Sequence, residues 1–386
     1  MNIGINAASA NSGGAVTYLR NVVPGLSRSV ASNGGGRVLV WAPRDAVSGL
    51  RSGDFDYRDP MEATNAAGLA GIARRLWFDQ WELPRRLRQD RVDALFSSAN
   101  FGTLRSPVPQ VVLVRNSLYF DPLAMGRIRS PIVRARYVAM RALVVRSILV
   151  ADAVLFPTRA MLDLVTPYVK CSREKWHVAP YGARHDLFQP AVRDRAPSER
   201  VVLLHVSVYY DQKNLGTLFG ALDRLHAGRP GRYRLRMTSG LRSVRPGPIH
   251  PNLEAEREAS LRLERDGVVE DLGPRNYTLL PDLYRGADIF VFPSYTESFG
   301  HPLVEAMASG LPIVAADVPV NREMCREAAI YFSPFDADAC AEAIARVSGD
   351  PTLAGTLRAA GRARALDFTW ERHVDVLWSA FRGMSP

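Results

Sequence analysis

The stretch Ile289-Phe290-Val291-Phe292-Pro293-Ser294-Tyr295-Thr296-Glu297-Ser298-Phe299-Gly300-His301-Pro302-Leu303-Val304-Glu305-Ala306-Met307-Ala308-Ser309-Gly310-Leu311-Pro312-Ile313-Val314-Ala315 decides the fold. Four apolar residues run without alternation to Phe292, as in a strand covered on both faces. A polar loop follows, and a proline opens a helix at Pro302. A second apolar strand begins at Ile313. Strand, loop, helix and strand in this order make a unit of parallel sheet.

The same pattern extends in both directions. Downstream of residue 200, apolar runs at 201–206 and 234–237 read as strands, with helices at 214–225 and 279–284. In the first half, Ile3-Gly4-Ile5, 38–41, 94–96, 111–114 and 153–156 read as strands, with a helix at 16–26. A polar stretch with two prolines, 189–200, interrupts the series. The fold expected is therefore α/β, with two Rossmann-like doubly wound domains facing a central cleft. The expected parts are a first domain at 1–190, a linker at 191–200, a second domain at 201–365 and a C-terminal segment at 366–386.

Composition narrows the function. The chain has 386 residues, 47% hydrophobic and 23% charged, which suits two folded cores and excludes a disordered or fibrous chain. No apolar run approaches the roughly 20 residues that span a bilayer. The N-terminus has neither a basic leader nor an apolar core, so no secretory signal is expected. Three scattered cysteines point to a reducing compartment. The net charge of +10 is uneven: residues 1–196 hold 27 Lys and Arg against 15 Asp and Glu, and residues 197–386 hold 22 against 24. A basic first half facing something anionic and a merely solvated Arg-rich surface fit these numbers equally well.

The loop and helix around Glu297 carry the strongest chemical signal. A helix start offers unpaired N–H groups and a positive dipole end. Gly300 lets the backbone come close to a ligand. Glu297 in the loop and Glu305, expected in the first helical turn, are suited to gripping vicinal hydroxyls. The combination fits a ligand anionic in one part and polyhydroxylated in another, as a sugar nucleotide is. By spacing alone, Glu297 as a helix cap and Glu305 as a charge matched to the dipole fit as well.

The block resembles the E-x7-E signature of retaining GT-B glycosyltransferases, glycosyltransferase family 4 in particular, most strongly over 200–346. The resemblance implies that Glu297 contacts the donor sugar and Glu305 the ribose. It also implies that the backbone around Ser298, Phe299 and Gly300 faces the sugar or phosphates, and that the segment 366–386 packs back on the first domain. It implies that Lys213, in the loop Ser207-Val208-Tyr209-Tyr210-Asp211-Gln212-Lys213-Asn214, stabilises the departing nucleoside diphosphate together with helix-start amides. Five residues before Lys213 the family commonly has arginine, and this chain has Val208. Arg275 is a candidate for the missing cation, although its loop more often borders the base. Gly13 and Gly14 would approach the donor phosphate and the acceptor, where spacing alone reads them as a tight turn.

A second departure concerns histidine. Many relatives carry a His-Asp pair after a strand of the first domain, where this chain has Val114-Arg115-Asn116-Ser117-Leu118. All seven histidines lie at or beyond His177, from which a first domain without any imidazole is expected. Arg115 and Asn116 are then possible substrate contacts, and a donor without a 6-hydroxyl follows as one consequence. His301, beside Pro302, is expected near the site with its role open.

Two basic stretches bear on partners. Residues 69–91 mix Trp77, Phe78 and Trp81 with six arginines, and 126–150 hold six arginines and no acid. Such mixtures suit an interfacial helix on anionic lipid, or equally helices packed on a sheet with arginine in water. Asp54-Phe55-Asp56 and Asp336-Ala337-Asp338 have metal-binding spacing but read as a polar loop and a helix cap. No metal or other cofactor is expected.

The reading is a retaining glycosyltransferase moving a hexose or 6-deoxyhexose from a nucleotide-sugar to a glycan or lipid-pyrophosphate-linked glycan in surface polysaccharide biosynthesis. It would be cytoplasmic, peripheral on the inner face of the membrane, and would not engage nucleic acid. The alternatives are a nucleotide-sugar epimerase of the same fold, and a non-catalytic basic scaffold or nucleic-acid-binding protein.

Overall fold

The computed structural model describes residues 1–10, 13–60, 68–190 and 200–384. Asn11, Ser12 and residues 191–199 of the expected linker lie outside the described residues. The chain forms two compact units. Unit 1 comprises Met1–Phe120, Val138–Gly182 and Trp370–Pro386, and unit 2 comprises Asp121–Tyr137 and Ala183–Thr369.

Unit 1 is built on seven parallel strands: β1 (Ile3–Asn6), β2 (Val38–Trp41), β3 (Asp56–Arg58), β4 (Ala94–Ser97), β5 (Gln110–Leu113), β6 (Ala153–Phe156) and β7 (Trp176–Val178). Their order is β3-β2-β1-β4-β5-β6-β7. The apolar runs of β1, β2, β4, β5 and β6 are buried at every position, because helices cover both faces. The C-terminal helix Trp370–Gly383 belongs to this unit and crosses the helix Gly14–Ser32. Gly25 makes that crossing possible, since a Cβ there would stand 2.8 Å from a methyl of Val374.

The expectation of a first domain without imidazole is corrected, since His177 and His185 lie within 1–190 and the returning helix adds a third ring. Unit 1 is not free of imidazole, because it holds His177 on β7 and His373 on the C-terminal helix. His373 is fully buried. Its Nδ1–H donates to the carbonyl of Ala179 (3.0 Å), so Nε2 accepts from the Tyr18 hydroxyl (2.7 Å). Burial pushes its pKa down to about 4, so this ring is a neutral structural pin.

Unit 2 has six parallel strands: β8 (Val201–His205), β9 (Tyr233–Met237), β10 (Val269–Asp271), β11 (Ile289–Phe292), β12 (Ile313–Ala316) and β13 (Ala329–Phe332). Their order is β10-β9-β8-β11-β12-β13. Leu203 pairs with Ile289 and Leu204 with Phe290, so β8 and β11 are neighbours although more than 80 residues apart. The strand order reverses between them. In an open α/β sheet the crevice beyond the carboxyl ends at such a reversal is where ligands bind.

Asp121–Tyr137 joins unit 2 although it lies in the chain between β5 and β6 of unit 1. The Arg127 guanidinium lies 3.8 Å from the ring centre of Phe335 and 5.6 Å from that of Tyr295. The expectation of a continuous first domain over 1–190 did not include this excursion. Asp336 caps a helix as expected, accepting from the Ala339 N–H at 2.9 Å.

Candidate active site

Two loops of unit 2 leave the reversal point side by side. One follows β8 and contains a tight turn, Asp211–Lys213, and then Asn214 in the left-handed region (φ 56°) before the helix Leu215–Gly228. The other follows β11 and ends at Gly300 (φ 84°), which precedes the helix His301–Ala308 with Pro302 in its first turn. A Cβ at Gly300 would be strained and would stand 3.1 Å from Leu303.

Three hydrogen bonds stitch the loops together. The Tyr295 N–H donates to the Gln212 carbonyl (3.1 Å), and Asn214 Nδ2 donates to the Pro293 carbonyl (3.1 Å). The Tyr295 hydroxyl also donates to Asp211 (3.3 Å). Between these ties Lys213 Nζ meets Glu297 Oε1 at 2.5 Å, with side chains only 14% and 16% exposed. The ammonium lies 5.8 Å from the centre of the Phe292 ring. The two residues ranked first from sequence thus form one ion pair.

Glu305 is the fifth residue of its helix, in the second turn and not the first as expected, because the helix begins at His301. Its carboxyl is 5% exposed. Tyr284 donates to Oε2 (2.9 Å), and the Tyr277 phenol lies near the carboxyl. Burial pushes its pKa up to about 7. Seven residues separate the two glutamates in sequence, yet their environments differ: Glu297 faces a cation, Glu305 two phenols.

Ser298 is half-buried beside Glu297. The Phe299 residue is buried, with its ring edge-on to Phe368 (5.7 Å) and beside the His301 ring (5.0 Å). Arg275 is exposed on the loop after Gly273.

Two supporting residues escaped the sequence reading. Glu256, on the helix Leu253–Arg265, accepts from the Tyr209 hydroxyl (2.6 Å) and from the Gly216 N–H (2.8 Å). Burial pushes its pKa up to about 7. Its carboxylate occupies an early amide of the helix Leu215–Gly228, so that amide is not open to a diphosphate; this corrects the expectation of free amides there. His205, at the end of β8, donates from Nδ1 to the Val291 carbonyl (3.0 Å) and accepts at Nε2 from Ser207 Oγ (2.8 Å). Burial holds its pKa down at about 4, so it is neutral and pins β8 to β11. No local motif marks either residue; both act through contacts made only in the folded sheet.

The remaining candidates lie in unit 1. Gly13 (φ 57°) and Gly14 are exposed at the start of the helix Gly14–Ser32, and a Cβ at either would meet nothing within 4 Å. The Arg115 guanidinium lies 5.7 Å from the Tyr18 ring centre. Asn116 Oδ1 accepts from the Leu118 N–H (3.1 Å), capping the turn Ser117–Tyr119. Among the described residues, no three His, Cys, Asp or Glu side chains converge as metal ligands would.

Residues 192–364 match the family of glycosyl transferases group 1. The match contains Lys213, Glu297 and Glu305. The chain is 28% identical over 246 residues to the D-inositol 3-phosphate glycosyltransferase of Saccharomonospora viridis, covering 60% of this chain and 56% of the relative. It is 32% identical over 179 residues to the O-antigen chain mannosyltransferase B of Escherichia coli, covering 46% and 45%. The chain spans about half the length of these curated relatives. Among solved structures, sucrose-phosphate synthase from Thermosynechococcus elongatus matches with a TM-score of 0.77 at 19% identity, over 99% of this chain and 98% of that one. Anabaena HepE in complex with UDP and glucose matches with a TM-score of 0.70 at 17% identity, over the whole of both chains. The fold is GT-B, an α/β architecture of two Rossmann-like domains.

Proposed function

We propose that this chain is a retaining glycosyltransferase that moves a hexose or 6-deoxyhexose from a nucleotide-sugar to a glycan or lipid-pyrophosphate-linked glycan in surface polysaccharide biosynthesis. The observation that carries the reading is the Lys213–Glu297 pair at the strand-order reversal of unit 2, beside the start of the helix His301–Ala308.

The chemistry follows from charge. Breaking a sugar–phosphate bond puts negative charge on the leaving diphosphate. Lys213 supplies a compact cation for it, and the start of the helix His301–Ala308 supplies a dipole end. Glu297 is placed to accept from sugar hydroxyls and to favour an oxocarbenium-like transition state once Lys213 turns to phosphate. Glu305 would accept from the ribose diol. Attack on the face that the diphosphate leaves would retain configuration, with the diphosphate helping to deprotonate the acceptor hydroxyl. HepE's complex with UDP and glucose and the E. coli relative's O-antigen role support a sugar nucleotide and a surface glycan as substrates.

For membrane association the support is an exposed surface. Trp77 and Trp81 are 50% and 66% exposed, near exposed Arg74 and Arg85. The helix Pro131–Val150 exposes Ile132 (81%), Leu149 and Val150 together with Arg134, Arg136 and Arg146. Arginine among exposed apolar side chains suits the inner face of a cytoplasmic membrane, where a lipid-linked acceptor would be held. Among the described residues no helix is long and apolar enough to cross a membrane.

The test is incubation with UDP-, GDP- and dTDP-sugars, with and without a membrane extract. Nucleotide release that depends on the extract, with sugar recovered in a glycan, is the expected outcome. Isomerised sugar without extract would replace transfer by epimerisation. Neither release nor isomerisation would remove the enzymic reading.

A further inference from the structure

Asn214 follows Lys213 and is 8% exposed. Its left-handed backbone turns the chain into the helix Leu215–Gly228, a task glycine performs without strain. The carboxamide performs another. Its Nδ2 donates to the Pro293 carbonyl, the first residue beyond β11 (3.1 Å), while its Oδ1 accepts from Thr217 Oγ1 (2.9 Å). One side chain therefore ties the loop of Lys213, the loop of Glu297 and the first turn of a helix. The second tie, Tyr295 N–H to the Gln212 carbonyl, stands on the other side of Lys213. The lysine is held between them, and its ammonium closes on Glu297.

We propose that Asn214 is a positioning residue that fixes the Lys213 ammonium over the phosphate–sugar bond of the donor. The inference rests on the proposed function, in which Lys213 meets the diphosphate. A flexible lysine side chain loses rotamer freedom when it binds an anion, and a fixed backbone origin reduces that loss. The carboxamide's contribution should thus appear only where Lys213 is present.

The variant Asn214→Gly keeps the backbone freedom and removes both side-chain bonds. Isothermal titration with UDP, GDP and dTDP compares wild type, Asn214→Gly, Lys213→Ala and the double variant. Lys213→Ala is expected to weaken nucleotide binding roughly 30-fold in the wild-type background. In the Asn214→Gly background it should weaken binding by less than about 3-fold, because the ammonium is no longer held in place. Equal factors in both backgrounds would overturn the proposal, since a purely structural Asn214 leaves the effect of Lys213 unchanged. If Lys213→Ala binds all three nucleotides as wild type does, the proposed function fails at Lys213 and the positioning role falls with it. If Asn214→Gly does not fold, Asn214→Asp gives the same comparison, because it keeps the acceptor for Thr217 and lacks the donor for Pro293.

Discussion

Lys213 Nζ stands 2.5 Å from Glu297 Oε1, across 84 residues of sequence, with both side chains largely buried. The cation proposed for the diphosphate is paired with the carboxylate proposed for the sugar. A diphosphate that took Lys213 as proposed would compete with Glu297 for the ammonium and leave that carboxylate free for the proposed sugar.

Glu297→Gln removes this competitor. UDP, GDP or dTDP, whichever wild type binds, should bind about tenfold tighter to the variant by isothermal titration. Turnover should fall at least about 100-fold in a nucleotide-release assay. Weaker nucleotide binding would show that Lys213 does not meet the diphosphate.

Glu305 is a carboxyl that folding prefers protonated, since burial raises its pKa to about 7. A raised folded pKa gives a contribution fully present below the unfolded carboxyl pKa and lost as pH rises through 7. Glu305→Gln should accordingly raise Tm relative to wild type at pH 8 and have little effect at pH 4. If the carboxylate grips the ribose, the same variant binds nucleoside diphosphates about tenfold more weakly and inorganic pyrophosphate equally well. Equal loss for both ligands would move Glu305 away from the ribose.

His205 works in the opposite direction. Its pKa is about 4 in the folded protein and about 6.5 when exposed, so the unfolded chain binds the proton more readily. Its contribution is fully present above about pH 6.5 and is lost as pH falls towards 4, an effect on the order of 3 kcal/mol. His205→Asn, which keeps a donor for Val291, should flatten the decline in stability between pH 6.5 and 4, measured by denaturant midpoints. An unchanged slope would mean that another group controls it.

Membrane association should follow the exposed arginines of the helix Pro131–Val150. Changing Arg134, Arg136 and Arg146 to Gln should lower partitioning onto anionic vesicles by more than about tenfold at low salt, at roughly 1 kcal/mol per residue near the surface. Tm should stay near that of wild type, because all three side chains are solvent-facing. Unchanged sedimentation with vesicles would refute this docking face.

The sequence by itself determined what depends on neighbours a few residues away. Unbroken apolar runs mark buried parallel strands because both faces are covered. Gly300 and Pro302 mark a helix start because the left-handed turn and the missing N–H are tolerated there. The seven-residue spacing of Glu297 and Glu305 was legible for the same reason.

Only the tertiary structure decided which distant groups meet. β8 lies beside β11 because the strand order reverses between them, and that brings Lys213 to Glu297. Glu256 reaches the Gly216 amide from another helix. Asp121–Tyr137 crosses to unit 2, where Arg127 lies against Phe335. Local periodicity records which face of an element is buried, but the partner across that face is set by the order of the strands, so contacts spanning tens to hundreds of residues leave no local pattern to read.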